Sequence, residues 1–306
     1  MPTLKIRVPA TSANLGPGFD TFGIALAYAD ELTVATTGSS GVRVHVHGVG
    51  EGEVPTDESN LVVQAAAHVL RHYGRDLPGL EIEAHNRIPH GRGLGSSGAA
   101  IVAGVSIAAG LLARDERPIV LSDEALLRFA TELEGHPDNV APALFGGLTI
   151  AWLDDSQAPR SKRLSVHRGV SPLVLVPDFT MSTELARSLQ PSQVPHEDAV
   201  FNVSRSALLV TALTQSPELL FEATEDRLHQ SYRGDAMPAT RDLIRALRDA
   251  GHAAVVSGAG PSILVLSGDP GSRIEAAELA ARHSSGWTPL LLAVDIKGAT
   301  VEEASA

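Results

Sequence analysis

The sequence contains no cysteine, which excludes disulfide bridges and thiol catalysis and fits a reducing cytoplasm. Nothing at its N-terminus reads as a basic segment followed by an apolar one, so no secretory leader is expected. The longest apolar run, near Ala99 to Ala113, is shorter than a membrane span and carries glycines. Basic residues are scarce: 24 Lys and Arg against 36 Asp and Glu give a net charge of −12, which disfavours nonspecific binding to nucleic acid and leaves neither nucleic acid nor membrane as an expected partner. Any anionic substrate must then be met by local arginines. Repeats and low-complexity tracts are also missing.

What is present is a chain of 306 residues with 43% hydrophobic content, enough for the cores of two domains. Its most unusual stretch is Pro89-His90-Gly91-Arg92-Gly93-Leu94-Gly95-Ser96-Ser97-Gly98. Before it, Leu80 to Ala84 alternates as a strand; after it, Ala99 to Ala113 is apolar almost throughout, as a buried helix is. The glycines therefore stand at a strand-to-helix junction. There the first backbone N–H groups of a helix lack partners and its dipole favours an anion. Ser96 or Ser97 is expected to cap the helix, leaving the other hydroxyl for a phosphate or its magnesium ion. The plainer alternative is a tight loop ahead of a core helix. Two known phosphate motifs do not fit: the loop has no lysine for a Walker sequence, and the G-x-G-x-x-G of Gly93, Gly95 and Gly98 lacks its acidic partner at the end of the next strand.

In chain order, Lys5 to Pro9 reads as a strand that breaks into the small-residue loop Ala10 to Asp20, followed by a strand from Asp30 to Thr36. Val42, Val44 and Val46 alternate with Arg43, His45 and His47, which predicts a hairpin with one wet face. His45 and His47 have no third metal ligand nearby and read as a solvated face. His68 and His72 likewise read as a helix flank. Asn60 caps a helix over Leu61 to His72, and Ser122 caps another that Gly135 ends beside Glu134. Gly135 to Gly147 reads as a polar, turn-rich loop with several potential ligand-binding groups, before a strand from Leu148 to Trp152.

The irregular segment Asp154 to Arg168 suggests a domain boundary, drawn after residue 157, so that 1–157 and 158–306 form two domains. Beyond it come a strand at Leu173 to Val176 and helices at Thr183 to Leu189, Asp198 to Thr214, Glu218 to His229 and Pro238 to Ala250. Two strands then flank the turn Ser257 to Ser262, and a helix at Arg273 to Arg282 and a strand at Leu290 to Asp295 complete an alternating α+β pattern.

Three stretches in order carry a family resemblance: Val8-Pro9-Ala10-Thr11-Ser12-Ala13-Asn14-Leu15-Gly16-Pro17-Gly18-Phe19-Asp20, the loop Gly93 to Ser97, and Ser257-Gly258-Ala259-Gly260-Pro261-Ser262. The chain resembles the GHMP small-molecule kinases. The first stretch, with His136-Pro137-Asp138-Asn139-Val140-Ala141-Pro142, is similar to the branch that phosphorylates homoserine in threonine biosynthesis. Mevalonate and galactose kinases typically carry a basic residue where Thr11 stands and Gly-Glu-His in place of the Gly16 to Asp20 loop. One departure is Gly98, where the family has Ser or Ala; glycine in a first helical turn costs up to about 1 kcal/mol relative to alanine.

The resemblance implies a two-domain α+β fold, an N-terminal ribosomal-S5-like domain and a C-terminal ferredoxin-like domain, with ATP and L-homoserine between them. It implies that Pro89, Gly91, Arg92, Gly93, Leu94, Gly95, Ser96 and Ser97 hold the phosphates, that Asn60 faces the nucleotide base or simply caps its helix, and that Ser97 and Glu134 contact Mg²⁺. Arg187 and Arg233 are expected on the homoserine carboxylate, because a guanidinium grips a carboxylate with two parallel bonds. Asn14, Asp20, His136 and Asn139 are expected around its amino and hydroxyl groups, and Thr183 on the γ-phosphate. Asp20, Asn139 and Thr183 stand nearest the chemistry in this reading. The alternatives are a family member acting on another small alcohol and a silent relative that only binds nucleotide or amino acid. A cytoplasmic location and a possible homodimer complete the expectation.

Overall fold

The computed structural model describes residues 3–304. The first strand, β1 (Thr3–Ala13), buries Leu4, Ile6 and Val8 on one face. Pro9 has no N–H to give to a ladder, and the register of β1 against β2 (Phe22–Thr36) slips between Pro9 and Ala10. Thr11 and Ser12 thus belong to a second, re-aimed segment of β1. β3 (Val42–Gly48) lies parallel to β4 (Leu80–Asn86), with α1 (Leu61–His72) connecting them; the hairpin expected for Val42 to Val46 is therefore a βαβ unit. α2 (Ser96–Leu112) follows the glycine loop and is buried on nearly every side.

α3 (Asp123–Glu134) runs from a Ser122 cap to Gly135. The expected loop over Gly135 to Gly147 instead holds α4 (Pro137–Phe145): Pro137 occupies the first helical turn, where no N–H is needed, and Val140, Ala141, Ala143 and Leu144 are buried. Asp154 to Arg168 is not irregular either, since β5 (Leu148–Leu153) and β6 (Pro159–Leu164) form a hairpin there that joins the first sheet through β2.

The second sheet begins with β7 (Ser171–Pro177), in which Leu173 and Leu175 face one core while Val174 and Val176 face the other, as a period of two requires. After α5 (Thr183–Ser188) and α6 (His196–Thr214), the single helix expected near Glu218 to His229 is broken into a 3₁₀ turn and the short α7 (Leu220–Ala223). α8 (Gln230–Arg233) and α9 (Pro238–Asp249) precede β8 (Ala253–Val256) and β9 (Ile263–Ser267), and α10 (Pro270–His283) precedes β10 (Trp287–Leu291), which replaces the strand expected over Leu290 to Asp295. The strands order as β10-β7-β9-β8, all antiparallel, with helices between β7 and β8 and between β9 and β10: a ferredoxin-like arrangement.

A last strand, β11 (Thr300–Ala304), returns to pair with β1, so residues beyond 157 supply both β6 and β11 to the first sheet. Its order is β11-β1-β2-β4-β3, with β5 attached to β2 and β6 to β5. One continuous core runs from Leu4 and Ile107 through to Val174 and Leu264, so the faces of the two sheets are packed into a single body. A smaller core, Leu173, Leu243, Leu247 and Ala280, lies under α9 and α10. No helix among the described residues is long and apolar enough to cross a membrane.

Candidate active site

The glycine loop lies against the inner end of the second sheet. Thr11 N–H donates to the Leu94 carbonyl at 3.1 Å from one side, and Met181 N–H to the Gly91 carbonyl at 3.0 Å from the other. Ser257 Oγ donates to Gly93 O at 2.7 Å. Gly93 and Gly95 both have φ of +68°, and a Cβ on them would stand 2.1 Å from Ser257 O and 2.1 Å from Thr11 Oγ1 respectively. Only glycine allows both that backbone and that approach.

Gly95 occupies the N-cap of α2, and no side chain caps it. Ser96 and Ser97 belong to the first turn, which corrects the expectation that one of them caps the helix. The start of α2 thus offers its N–H groups and dipole to a ligand rather than to a neighbouring residue. Ser97 Oγ donates to Glu134 Oε1 at 2.8 Å. Burial raises the Glu134 carboxyl above its usual range, more than the Ser97 bond and the nearby His136 lower it.

The loop between β1 and β2 forms the opposite wall. Three non-glycine residues there, Asn14, Leu15 and Asp20, have φ of 71°, 50° and 51°. Such left-handed backbone is sparsely populated and is held by surrounding bonds. Asn14 Nδ2 donates to Gly258 O at 2.9 Å, Asp20 N–H donates to Asn14 Oδ1 at 2.9 Å, and the buried His229 Nε2 meets Gly16 O at 2.7 Å. Phe19 stacks on His229 and lies under the Arg233 guanidinium. Arg233 is 2% exposed, donates to Gly258 O at 3.2 Å and leaves Nε without a partner. Arg187 reaches across from α5 to Asp20.

These walls enclose a cavity of about 190 Å³. Asn14, Asp20, His136, Asn139, Arg187 and Arg233 line it together with Gly91, Gly93, Gly95, Ser96, Ser97, Glu134 and Thr183. Pro89, Arg92 and Leu94 are not in that lining. Leu94 is 1% exposed in the core, and Arg92 donates outward to Pro177 O at 2.9 Å and Asp178 O at 3.1 Å, tying the loop to β7. Asn60 caps α1 by accepting from Val62 N–H at 3.0 Å, and it also faces a second cavity of about 250 Å³ that adjoins Ser96 and Ser97, with a mainly apolar wall that includes Leu32, Val44, Val46 and Val62 and with Asp30, Asn86 and His90 as further polar groups.

Three contributors escaped the sequence reading. Asp138 is 2% exposed and makes a short contact to His136 Nδ1. Burial alone would lower the His136 pKa, but the bond and charge of Asp138 outweigh it and raise it. Thr11, also buried, donates to Asn139 Oδ1 at 2.9 Å and so fixes the amide's orientation. The Gly258 carbonyl gathers Asn14 and Arg233 on one acceptor. The acidic residue two places after His136 was the one local signal available. The His45 and His47 pair is engaged with Glu81 and Glu83, and His68 with Glu132. Among the described residues no three or more His, Asp or Glu form a group suited to a metal.

A model of the GHMP kinases N terminal domain matches residues 60–147, and one of the GHMP kinases C terminal domain matches 205–283. A homoserine kinase of Clavibacter michiganensis subsp. michiganensis is 66% identical over 300 residues, covering 98% of this chain and 94% of the relative. One from Leifsonia xyli subsp. xyli is 65% identical over 98% of this chain and 92% of its own length. Among solved structures, a homoserine kinase from Cytophaga hutchinsonii superposes with a TM-score of 0.85 at 29% identity, covering 98% of this chain and 97% of that one. On that identity over nearly its whole length, and with both family models matched, the chain belongs to the GHMP kinases and, within them, to the homoserine kinases.

Proposed function

We propose that the enzyme transfers the γ-phosphoryl group of ATP to the side-chain hydroxyl of L-homoserine. The observation that carries this reading is a single cavity with an anion-binding helix start on one side and two arginines, a carboxylate and two amide side chains on the other. The homoserine kinases that resemble the chain support the choice of acceptor.

In this reading the ATP phosphates rest on the open N–H groups of α2 and the loop Gly91 to Ser97, and the mainly apolar cavity beside Asn60 takes the base. Leu94 supports the loop from below, and Arg92 fixes its far side to β7; Pro89 precedes the loop and touches neither cavity. Glu134 and Ser97 fit a hard divalent cation: a carboxylate whose burial disfavours its charge, bonded to a hydroxyl, gains from an added cation. Ser97 and Glu134 would hold Mg²⁺ there, where it would supply charge neutralisation for the transferring group.

The acceptor's carboxylate is assigned to Arg187 and Arg233. Buried Arg233, short of acceptors, gains most from an anion. Asn14, His136 and Asn139 orient the amino and hydroxyl groups, with Asn139 held by Thr11. Asp20 accepts a hydrogen bond from the reacting hydroxyl and sets its line of approach. Thr183, at the start of α5, donates to the γ-phosphate. Phosphoryl transfer through a loose transition state asks mainly for alignment and charge stabilisation.

We further propose a cytoplasmic setting, an ATP-binding unit made of residues up to 157 with β6 and β11, and a homodimer that would cover the exposed Val200 and Val203 of α6. Light scattering tests the last point. The reaction is tested by ADP formation: it should require L-homoserine and not occur with mevalonate or galactose. ADP release on another alcohol alone, or none on any, would displace this reading.

A further inference from the structure

A cavity larger than the active site lies behind its wall. α6, α8, α9 and the end of β8 enclose about 540 Å³, against about 190 Å³ for the site itself. Arg205, Arg227, Arg241, Arg245 and Arg248 face it, with only Glu225 and Asp226 as carboxylates. Five guanidinium groups and two carboxylates thus line the recess in a chain whose net charge is −12; Arg227 pairs with Asp198 at 3.4 Å, and Arg241 with Asp235 at 2.7 Å and Asp242 at 3.1 Å, outside the lining. A cationic recess in an acidic protein concentrates anions.

The pairing of these groups narrows what the recess can take. Asp226 has no exposed side-chain surface and accepts from Asn202 Nδ2 and from the N–H groups of Leu228, His229 and Gln230, so it belongs to the framework. Glu225 is bound to Arg205 at 2.7 Å. Arg248 donates only to neutral oxygens, Thr224 Oγ1, Ala254 O and Phe221 O. Arg245 has no side-chain hydrogen bond or ion pair among the described residues. Two cations therefore face the recess without a carboxylate. The rest of the lining sets apolar Phe201, Met237, Ile244 and Val256 beside the neutral polar Thr224, Gln230, Ser231 and Thr240. This combination suits a molecule with an anionic head and an apolar body.

The wall between the two cavities is one short helix. Gln230 and Gly234 line the recess, while Arg233 between them lines the active site. Gln230 Oε1 accepts from Val256 N–H at 2.6 Å, and two residues on, Gly258 O receives both Asn14 and Arg233. On the other flank Asn202 joins Asp226 to the Pro17 carbonyl of the loop that carries Asp20.

We propose that this recess is an effector site for a small carboxylate or phosphate with an apolar body, and that its occupancy shifts α8 and with it Arg233 and Asn14. Binding energy spent differently on two positions of α8 is the physical content of such coupling.

The test uses the full chain without ATP or homoserine, so it stands apart from the assigned reaction. Phenyl phosphate, phenylacetate and uncharged benzyl alcohol are titrated separately while backbone and Asn14 side-chain amide resonances are followed. At least one anion should bind at about millimolar Kd or tighter, consistent with a ligand of this size. Benzyl alcohol should bind at least tenfold more weakly. Binding of the phosphate alone, or of the carboxylate alone, identifies the head group. Arg245→Glu should weaken the anion at least tenfold, and the Gly258 and Asn14 signals should move in the parent chain and not in the variant. Equal binding of anion and alcohol, or a Kd in Arg245→Glu within twofold of the parent, overturns the site. Saturation of the recess with Gly258 and Asn14 unmoved overturns the coupling.

Discussion

The carboxylate of Asp20 is held by both terminal nitrogens of Arg187, at 2.9 and 3.1 Å, across 167 residues of chain. The pair bridges the β1–β2 loop and α5 over the mouth of the active-site cavity. In the proposed assignment, a substrate carboxylate that claims Arg187 would loosen this contact and free Asp20 for the hydroxyl. The two side chains are 40% and 38% exposed, so the pair itself adds less than about 1 kcal/mol to stability.

Arg187→Ala should therefore leave the melting temperature nearly unchanged while raising the KM for homoserine by about 50-fold, the loss of one charged two-bond contact. Arg187→Lys should recover little, because an ammonium cannot reproduce the fork. Asp20→Asn should lower kcat more than it raises KM, with ATP affinity kept. Steady-state kinetics with a calorimetric ATP titration decide this; unchanged homoserine kinetics in both variants would remove these residues from the acceptor site.

Glu134→Gln keeps a partner for Ser97 and removes a charge that burial disfavours. The folded-state pKa of Glu134 is raised above its usual 4.5, so the native chain holds this proton more tightly than the unfolded one. Stability is then lost as pH rises from 4.5 through the raised value, and the variant's advantage should grow over that window and persist above it. At pH 8 the variant should melt higher than the parent, yet turn over at least about 100-fold more slowly with Mg²⁺ and ATP. A variant that melts lower at pH 8 would refute the burial argument; full activity would refute the cation assignment.

The glycine loop offers a paired test. At Gly95 an added Cβ would stand 2.1 Å from Thr11 Oγ1, the donor to Asn139, and the φ of +68° adds about 1–2 kcal/mol of backbone strain. Gly95→Ala should destabilise the fold and lower kcat/KM together. At Gly98 the nearest atoms are 3.5 Å away, ordinary contact, in the first turn of α2. Gly98→Ala should be tolerated and stabilise by up to about 1 kcal/mol. Thermal melts compare the two, and a destabilised Gly98→Ala would show that this turn needs its looseness.

Local pattern made α1 and α3 legible almost to the residue, since Asn60, Ser122 and Gly135 mark their ends and the apolar spacing fills the interval. It also exposed the glycine loop and the arginines as candidates. What local pattern lacks is the partner. The alternation of β3 is the same whether it pairs with β2 in a hairpin or lies parallel to β4 beyond a helix, and β11 finds β1 from the far end of the chain. α4 was hidden because its prolines, Asn139 and flanking glycines read as turn formers, while burial of Val140 and Leu144 decides its conformation. The Thr11–Asn139 and Asn14–Gly258 bonds span 128 and 244 residues, so no spacing rule reaches them.

Asp138, 2% exposed, contacts His136 Nδ1, so the imidazole's charge state depends on it. Burial works to lower the His136 pKa; the Asp138 bond and charge, helped by Glu134 and opposed by Arg187, raise it above the usual 6.5. A histidine raised in this way contributes stability that is complete below pH 6.5 and is lost as pH rises through the folded-state value. In Asp138→Asn the opposing burial remains while its compensation is gone, so the ring should titrate below 6.5 and the decline in melting temperature on the alkaline side should disappear. The His136 ring-proton NMR titration reads the first effect and melts from pH 5 to 9 the second. If the ring still titrates above 6.5 in Asp138→Asn, the charge is held by Glu134 instead, and Glu134→Gln would then carry the shift.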